Sequence, residues 1–196
     1  LALEIKLKEM ASQNELPDVI TFAGNGEPTL HPQFAEIIDD TLNLRDLYAP
    51  SARVAVLSNS TMLFKPEVVE ALKKVEDNIL KLDSAIAETI QLMDAPVGHF
   101  DLDKVVKQLA SFNGKLVIQT MFLRGTVDGK QFDNTTVSEV AAWIGLLKQI
   151  NPERVMIYTI ARDTPSNSLE KISIDDLNKI ATQVKEQLNI DVEVSA

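Results

Sequence analysis

Short apolar runs alternate with amphipathic helical segments along almost the whole chain, and this alternation limits the possible folds more than any other feature. Runs of about five residues have the length of buried strands, and the segments between them carry apolar residues at helical spacing. Strands that alternate with helices form parallel βαβ units. The predicted strands cover residues 19–23, 53–57, 79–83, 115–122, 154–160 and 190–194. The predicted helices cover residues 2–13, 33–46, 66–75, 84–93, 101–112, 136–150 and 173–188.

This alternation fits both a (β/α) barrel and an open doubly wound sheet. A dinucleotide-binding sheet opens with a GxGxxG turn that leads straight into a helix, whereas here Gly24 and Gly26 are followed by Glu-Pro-Thr-Leu-His-Pro. The chain also has no GxxxxGK[ST] phosphate loop. Hydrophobic periodicity by itself therefore hardly distinguishes a barrel from an open sheet.

Polar residues mark the starts of two predicted helices. Asp101 is predicted to cap one of them. Thr136 and Glu139 have the spacing of a capping box, in which each side chain satisfies an N–H at the start of the helix. The polar segment 125–135 before this helix is predicted to be a loop. No linker, repeat or low-complexity tract interrupts the chain, so residues 1–196 are predicted to form one domain.

Composition bears on which partners and which cellular compartment the protein is expected to have. The net charge of −10 argues against a broad nucleic-acid surface, which normally needs a basic stripe. No apolar run approaches the length of a membrane span, and the N-terminus lacks a signal pattern. There is no cysteine, hence no disulfide framework, which favours a cytoplasmic setting.

The segment Thr-Phe-Ala-Gly-Asn-Gly-Glu-Pro-Thr-Leu-His-Pro, residues 21–32, carries the clearest functional pattern. An apolar strand ends in a Gly-Asn-Gly turn, where glycines allow positive φ and close approach of a ligand to the backbone. Glu27 then lies at the carboxyl end of the strand, where α/β barrels place ligand-binding groups. A Gly- and Pro-rich turn with one solvated Glu explains the residue types equally well.

The segment Gly-Asn-Gly-Glu-Pro-Thr-Leu-His-Pro, residues 24–32, resembles the motif after the second strand of radical S-adenosylmethionine (SAM) enzymes. The resemblance continues at residues 56–60, 81–84, 121–125 and 158–162, and it covers nearly all 196 residues. These segments look like strand ends of the iron–sulfur oxidoreductases similar to wyosine-type tRNA-modifying enzymes. The resemblance implies an α/β fold, an incomplete (β/α) barrel (partial TIM barrel) of mainly parallel strands with its first strand missing.

The resemblance also implies a cofactor site. In the family this loop binds the amino group of the SAM methionine moiety, which implies that role for Asn25, Gly26 and Glu27, although Asn25 stands where the family often has Gly. The resemblance makes four further residues candidates for contacts to the SAM ribose or carboxylate: Ser58, Asp83, Ser84 and Gln119.

Each candidate also has a purely structural interpretation. Ser58 belongs to a Ser-Asn-Ser turn, and Asp83 could cap the helix that follows it. Lys81 and Gln119 could be polar members of interior layers, hydrogen-bonded to each other or to water. His31 is more consistent with a turn or cap residue than with a base.

The chain departs from the family at its defining feature, a CxxxCxxC loop whose thiolates hold a [4Fe–4S] cluster. This chain has no cysteine. It is expected to be a fragment that begins after the cysteine loop; loss of the cluster from a full protein is the other explanation.

The resemblance implies the core of an iron–sulfur oxidoreductase that cleaves SAM reductively and abstracts hydrogen from an unknown substrate. An electron donor such as flavodoxin or ferredoxin is the implied partner. The alternatives are a glycyl-radical enzyme activating protein and a cluster-free module that binds SAM or a nucleotide. The acidic composition offers no support for a tRNA substrate.

Overall fold

The computed structural model describes residues 2–24, 26–96, 100–160 and 168–195. The chain divides into two compact units, Leu1–Ile79 and Leu80–Ala196. The boundary falls within strand β3, Asp77–Lys81. Helices and strands alternate in both units, and the α/β class with mainly parallel strands predicted from the sequence is confirmed.

The first unit contains two paired strands and three α-helices. Strands β1 and β2 are parallel, with Val19 opposite Arg53 and Phe22 opposite Val56. A short 3₁₀ turn follows β1, and among the described strands β1 pairs only with β2. The elements are α1 Ala2–Gln13, β1 Val19–Phe22, the 3₁₀ turn Pro28–Leu30, α2 Phe34–Tyr48, β2 Arg53–Ser58 and α3 Pro66–Leu72.

Apolar faces of the helices account for the core of the first unit. Leu7 of α1 is buried beside Ala49 and Ala52, which follow α2. The Arg53 guanidinium forms two 2.7 Å hydrogen bonds with the Asp77 carboxylate, a fork geometry that fixes both side chains.

The second unit combines three parallel strands with a small antiparallel sheet. Strands β4, β7 and β9 are parallel in that spatial order, whereas β5 pairs antiparallel with β6 and with β8. The helices are α4 Ala87–Asp94, α5 Leu102–Ala110, α6 Val137–Ile150 and α7 Ile174–Leu188. The strands are β4 Val117–Met121, β5 Leu123–Val127, β6 Lys130–Asp133, β7 Arg154–Tyr158, β8 Leu169–Lys171 and β9 Asp191–Ser195.

Trp143 of α6 is the largest fully buried side chain of the second unit. Its ring lies edge-on to that of Phe122, with 5.2 Å between the ring centroids. Its indole N–H donates to the Leu82 carbonyl oxygen at 3.2 Å, and the Thr120 hydroxyl donates to the same oxygen at 2.8 Å. A buried indole needs such an acceptor, so these bonds tie α6 and β4 to the segment after β3.

Two predictions about local structure are wrong. The segment predicted as a loop at 125–135 contains most of a β-hairpin, β5 and β6, which turns at Asp128 and Gly129, both with positive φ. The hairpin was not predicted because its sheet is largely exposed or half-buried, so its strands lack the alternation of apolar and polar residues that marks a strand. Strand β3 begins at Asp77 and ends at Lys81, two residues earlier than predicted. Of the described helices, none is long and apolar enough to cross a membrane.

Candidate functional site

The predicted site residues fall in both units. Gly26, Glu27 and Ser58 belong to the first unit, and Asp83, Ser84 and Gln119 to the second. Asn25 lies outside the described residues.

The Glu27 carboxylate is the centre of the hydrogen bonding at the carboxyl ends of β1 and β2. Its Oε1 accepts from the Thr29 N–H at 3.1 Å, from the Thr29 hydroxyl, and from the Ser58 hydroxyl at 2.8 Å. Its Oε2 accepts from the Asn59 N–H at 2.6 Å. Glu27 is therefore not a solvated turn residue, because it caps the 3₁₀ turn and ties it to the end of β2.

The two carboxylate oxygens of Glu27 are used unequally. A carboxylate has about four lone-pair sites, two on each oxygen. Among the described residues, Oε1 takes three donors, whereas Oε2 takes one, the N–H of Asn59, and so keeps capacity for another. Glu27 lines an open cleft of about 550 Å³ together with the carboxyl end of β1, Gly24, Gly26 and His31. The arrangement can accept a hydrogen bond from a cationic donor placed in this cleft.

The glycines of this loop differ from the expectation that they need positive φ. Neither Gly24 nor Gly26 adopts it, and a Cβ added to either would meet no atom within 4 Å. Their backbone therefore tolerates other residues, and both glycines line the cleft. The glycines still allow a ligand to approach the backbone closely, because they carry no side chain.

Ser58 and His31 have defined structural roles. The Ser58 hydroxyl donates to Glu27 and accepts from the Ser60 N–H at 3.1 Å, so it holds the carboxylate in place. Ser60 adopts a φ of 65° in the same turn. The His31 Nδ1 accepts from the Gln33 N–H at 3.2 Å, and the residue ends the 3₁₀ turn, as its turn interpretation predicts.

In the second unit, the buried Asp83 belongs to a charge cluster with the half-buried Lys81 and the exposed Asp94. The Lys81 ammonium lies 2.6 Å from Asp83 Oδ2 and 2.7 Å from Asp94 Oδ1. Asp83 Oδ1 also accepts from the Met121 N–H at 2.7 Å. Asp83 does not cap the following helix, since the residue before α4 is Ile86 and no side chain caps it. The two carboxylates neutralise the Lys81 ammonium, so its burial does not require the hydrogen bond to Gln119 that the sequence suggested.

Burial and charge shift the titration of this cluster. Burial raises the pKa of Asp83 to about 7, although the Lys81 ammonium acts in the opposite direction. Burial lowers the pKa of Lys81, but the two carboxylates outweigh it and raise that pKa above its ordinary value. Burial also raises the pKa of Tyr158, which lies opposite Met121 in the parallel pair of β4 and β7. Displaced pKa values of this kind are typical of functional sites and of structural ion networks alike.

Ser84 points to a different partner. Its hydroxyl donates to Glu139 Oε2 at 2.6 Å and accepts from the Ile86 N–H at 2.8 Å. The capping box predicted for α6 is therefore half correct. Thr136 caps the helix by accepting from the Glu139 N–H at 3.3 Å, but the Glu139 side chain turns inward to Ser84 and Thr89.

Gln119 is half-buried on β4, and the Leu82 N–H donates to its backbone oxygen at 3.0 Å. Sequence reasoning missed Asn134, whose side chain is buried. The Asn134 amide donates to the backbone oxygens of Asp83 and Met121, both at 2.8 Å, and its Oδ1 accepts from the Leu123 N–H at 2.9 Å. Its place in a polar segment gave no signal of this role. Among the described residues, no group of three or more His, Cys, Asp or Glu could hold a metal ion.

No protein-family model matches the chain. It is 27% identical over 193 residues to a protein named GTPase Obg from Brachyspira hyodysenteriae, covering 96% of this chain and 27% of that protein. It is 29% identical over 167 residues to a UPF0026 protein of Helicobacter pylori, covering 83% and 50%. It is 25% identical over 171 residues to a UPF0026 protein of Methanocaldococcus jannaschii, covering 85% and 49%. The chain thus spans half or less of the length of these relatives.

Two solved structures share the fold. A domain of pyruvate-formate lyase-activating enzyme from Bacteroides vulgatus matches 90% of this chain and 98% of its own, with a TM-score of 0.65 and 19% identity. Streptococcus suis SuiB bound to S-adenosylmethionine matches 99% of this chain and 43% of its own, with a TM-score of 0.71 and 16% identity. At these identities the likeness shows the fold alone, and it supports the partial (β/α) barrel predicted from the sequence.

Proposed function

We propose that this chain is the SAM-binding part of a radical SAM enzyme, and that Asn25, Gly26 and Glu27 hold the amino group of SAM. The main observation is that Glu27 Oε2 can accept a further hydrogen bond and that Glu27 lines an open cleft at the carboxyl end of β1. The fold likeness to SuiB, a protein whose structure contains bound S-adenosylmethionine, supports it. The resemblance of residues 24–32 to the family's loop points in the same direction.

The residues present fit SAM. The amino group of its methionine moiety is a cation, which suits a carboxylate already fixed by Thr29 and Ser58. A Cβ at Gly26 would project into open space, so the glycine keeps the cleft wide where a ligand would approach. In this proposal Ser58 acts by positioning Glu27, while Asp83, Ser84 and Gln119 remain proposed contacts to the ribose or carboxylate.

The residues present do not fit a [4Fe–4S] cluster. Such a cluster needs thiolates, and these 196 residues contain no cysteine. In the proposed enzyme the cluster, which supplies the electron for reductive cleavage of SAM, would be held by thiolates outside this chain. An electron donor such as flavodoxin or ferredoxin is proposed as the partner of that enzyme, and its substrate is not assigned.

Isothermal titration of SAM into the chain tests the proposal. Without a cluster to share the methionine group, binding is expected with a dissociation constant of about 0.1–1 mM, which corresponds to about 4–6 kcal/mol. Glu27→Gln removes the charge that faces the amino group and should weaken binding by about tenfold. His31→Ala, a change in the same cleft, is the control and should leave binding within about twofold.

Gly26→Ala separates ligand binding from folding. Because an added Cβ meets no protein atom within 4 Å, the free energy of unfolding should change by less than about 0.5 kcal/mol. SAM binding should nevertheless weaken by at least about fivefold, since the methyl group occupies the cleft. Submillimolar binding that ignores both Glu27→Gln and Gly26→Ala would refute the proposed site.

A second candidate function is activation of a glycyl-radical enzyme. The domain of pyruvate-formate lyase-activating enzyme that matches the chain is covered over 98% of its length, so the two folds are nearly coextensive. Both candidates use SAM, and therefore SAM titration does not distinguish them. Incubating the reconstituted full-length protein with SAM, a reductant and pyruvate formate-lyase would do so, because only the activating function produces a glycyl-radical signal in electron paramagnetic resonance.

A further inference from the structure

A second cavity lies wholly within the second unit, apart from the loop at Glu27. Its volume is about 480 Å³. Its walls come from α4, the hairpin strand β6 and the first turn of α6. The lining residues that matter here are Ile86, Thr89, Leu92, Phe132 and Glu139.

Glu139 is an unusual residue for a cavity wall. It is only 6% exposed, although it carries a carboxylate. Its Oε2 accepts from the Ser84 hydroxyl at 2.6 Å and its Oε1 from the Thr89 hydroxyl at 2.5 Å. The Ser84 hydroxyl also accepts from the Ile86 N–H at 2.8 Å, so each Glu139 carboxylate oxygen receives one hydroxyl donor.

Glu139 has no positive partner. Among the described residues no basic side chain lies within 4.0 Å of its carboxylate, and buried charges in proteins are normally paired. Lys130 is the one basic residue that lines the cavity, but it is exposed and forms no ion pair with Glu139. The start of α6 supplies a partial positive charge, which lessens the cost of burying the carboxylate without cancelling it.

The other walls define the kind of cation that suits the cavity. Ile86, Leu92 and Phe132 offer apolar surface, and the acidic side chains of Glu88 and Asp133 add negative charge. A metal ion is disfavoured because no group of three or more His, Cys, Asp or Glu among the described residues could hold one. A cation with an apolar stem, which buries methylene groups and presents an ammonium, matches both kinds of surface.

We propose that this cavity binds an alkylammonium group, with Glu139 as its counter-charge and Ile86, Leu92 and Phe132 around its methylene groups. The Ser84 and Thr89 hydroxyls position the carboxylate and leave it acceptor sites for the ammonium N–H groups. This site shares Ser84 with the proposed SAM contacts but does not involve Glu27, so a loss of SAM binding in Glu27→Gln leaves the alkylammonium site intact.

Titrating the whole chain with n-butylammonium chloride, followed by amide chemical shifts, tests the proposal. The shifts should concentrate at the cavity, in Thr89, Gln131, Ser138 and Glu139, and saturate in the millimolar range. The neutral isostere 1-butanol should bind at least tenfold more weakly. Equal affinity for the two probes would overturn the proposal, and so would shifts that spread over the acidic surface and vanish in 0.15 M NaCl.

Two variants locate the site. Glu139→Gln should weaken butylammonium binding at least tenfold, whereas Glu186→Gln, which removes a carboxylate from the exposed face of α7, should change it less than twofold. If Glu139→Gln does not fold, Leu92→Trp tests the site instead. The larger side chain fills the cavity and should abolish butylammonium binding, while the Glu139 carboxylate is retained. Unchanged binding in Leu92→Trp would place the ligand elsewhere and refute the proposal.

Discussion

The Ser58 hydroxyl donates a 2.8 Å hydrogen bond to Glu27 Oε1 across 31 positions of sequence. Ser58 ends β2 and Glu27 follows β1, so the bond joins the carboxyl ends of two paired strands. Thr29 occupies the same oxygen with two donors, which fixes the rotamer of the carboxylate. The ligand-facing geometry proposed for Glu27 therefore depends on residues that need not touch the ligand.

Ser58→Ala should destabilise the chain by about 1–2 kcal/mol, because a buried bond to a charged group is lost. Urea unfolding followed by circular dichroism measures this change. Ser12→Ala is the control, since Ser12 is exposed and donates only to a neighbouring backbone oxygen, and it should cost less than about 0.5 kcal/mol. Equal costs for the two variants would mean that Ser58 does not hold Glu27.

Gly125→Ala and Gly145→Ala should act in opposite directions. A Cβ at Gly125 would lie 2.5 Å from the Ser168 backbone oxygen and 3.1 Å from Leu169 Cα, a clash that separates β5 from β8 and costs about 1–3 kcal/mol. A Cβ at Gly145, within α6, meets nothing within 4 Å, so alanine should stabilise the helix by about 1 kcal/mol. Thermal unfolding of both variants checks the pair; a stabilising Gly125→Ala would contradict the observed strand pairing.

Asn134→Ala should be among the most damaging polar substitutions. It removes the partners of the Leu123 N–H and of the Asp83 and Met121 carbonyl oxygens, at about 1–3 kcal/mol for each group left unsatisfied in the interior. Some of that cost is recovered by water, so a total of about 2–5 kcal/mol is expected. Asn178→Ala on the exposed face of α7 should change the free energy of unfolding by less than about 0.5 kcal/mol. Urea titration of both proteins measures the difference.

Asp83 should make stability depend on pH between about 4 and 7. Its pKa in the folded chain is raised to about 7 from an ordinary value of 3.8, so the folded state binds more protons than the unfolded state in this window. The contribution of Asp83 is therefore fully present below the lower value and is lost as the pH rises through the upper one. Three pKa units correspond to at most about 4 kcal/mol.

Comparing urea unfolding of the wild type and Asp83→Asn at pH 4.5 and 7.5 isolates this contribution. Asn cannot ionise, so the stability of the variant relative to the wild type should improve by about 1–4 kcal/mol as the pH rises. Asp128→Asn, in the exposed turn of the hairpin, should run parallel to the wild type. A relative stability of Asp83→Asn that falls or stays constant over this range would show that Asp83 remains ionised throughout.

The sequence by itself determined the order and type of the main elements. Periods of 3.6 and 2 report which side of a segment is apolar, and that is enough to place α1 at Ala2–Gln13, to find β1 and β2, and to predict the Asp101 cap of α5, whose carboxylate accepts from the Lys104 N–H. The sequence did not predict the hairpin β5–β6. Its stability comes from backbone pairing and a turn, which do not produce a hydrophobic period in the sequence.

Only the tertiary structure decided the partners of the polar residues. Glu27, Asp83 and Glu139 look alike as carboxylates beside strand or helix ends. One is fixed by Thr29 and Ser58, one is paired with Lys81, and one is buried against Ser84 and Thr89. These partners lie up to 55 positions away in sequence, and burial depends on how distant segments pack. A local pattern records which residues can donate or accept, but the fold determines which of them meet and how much water remains between them.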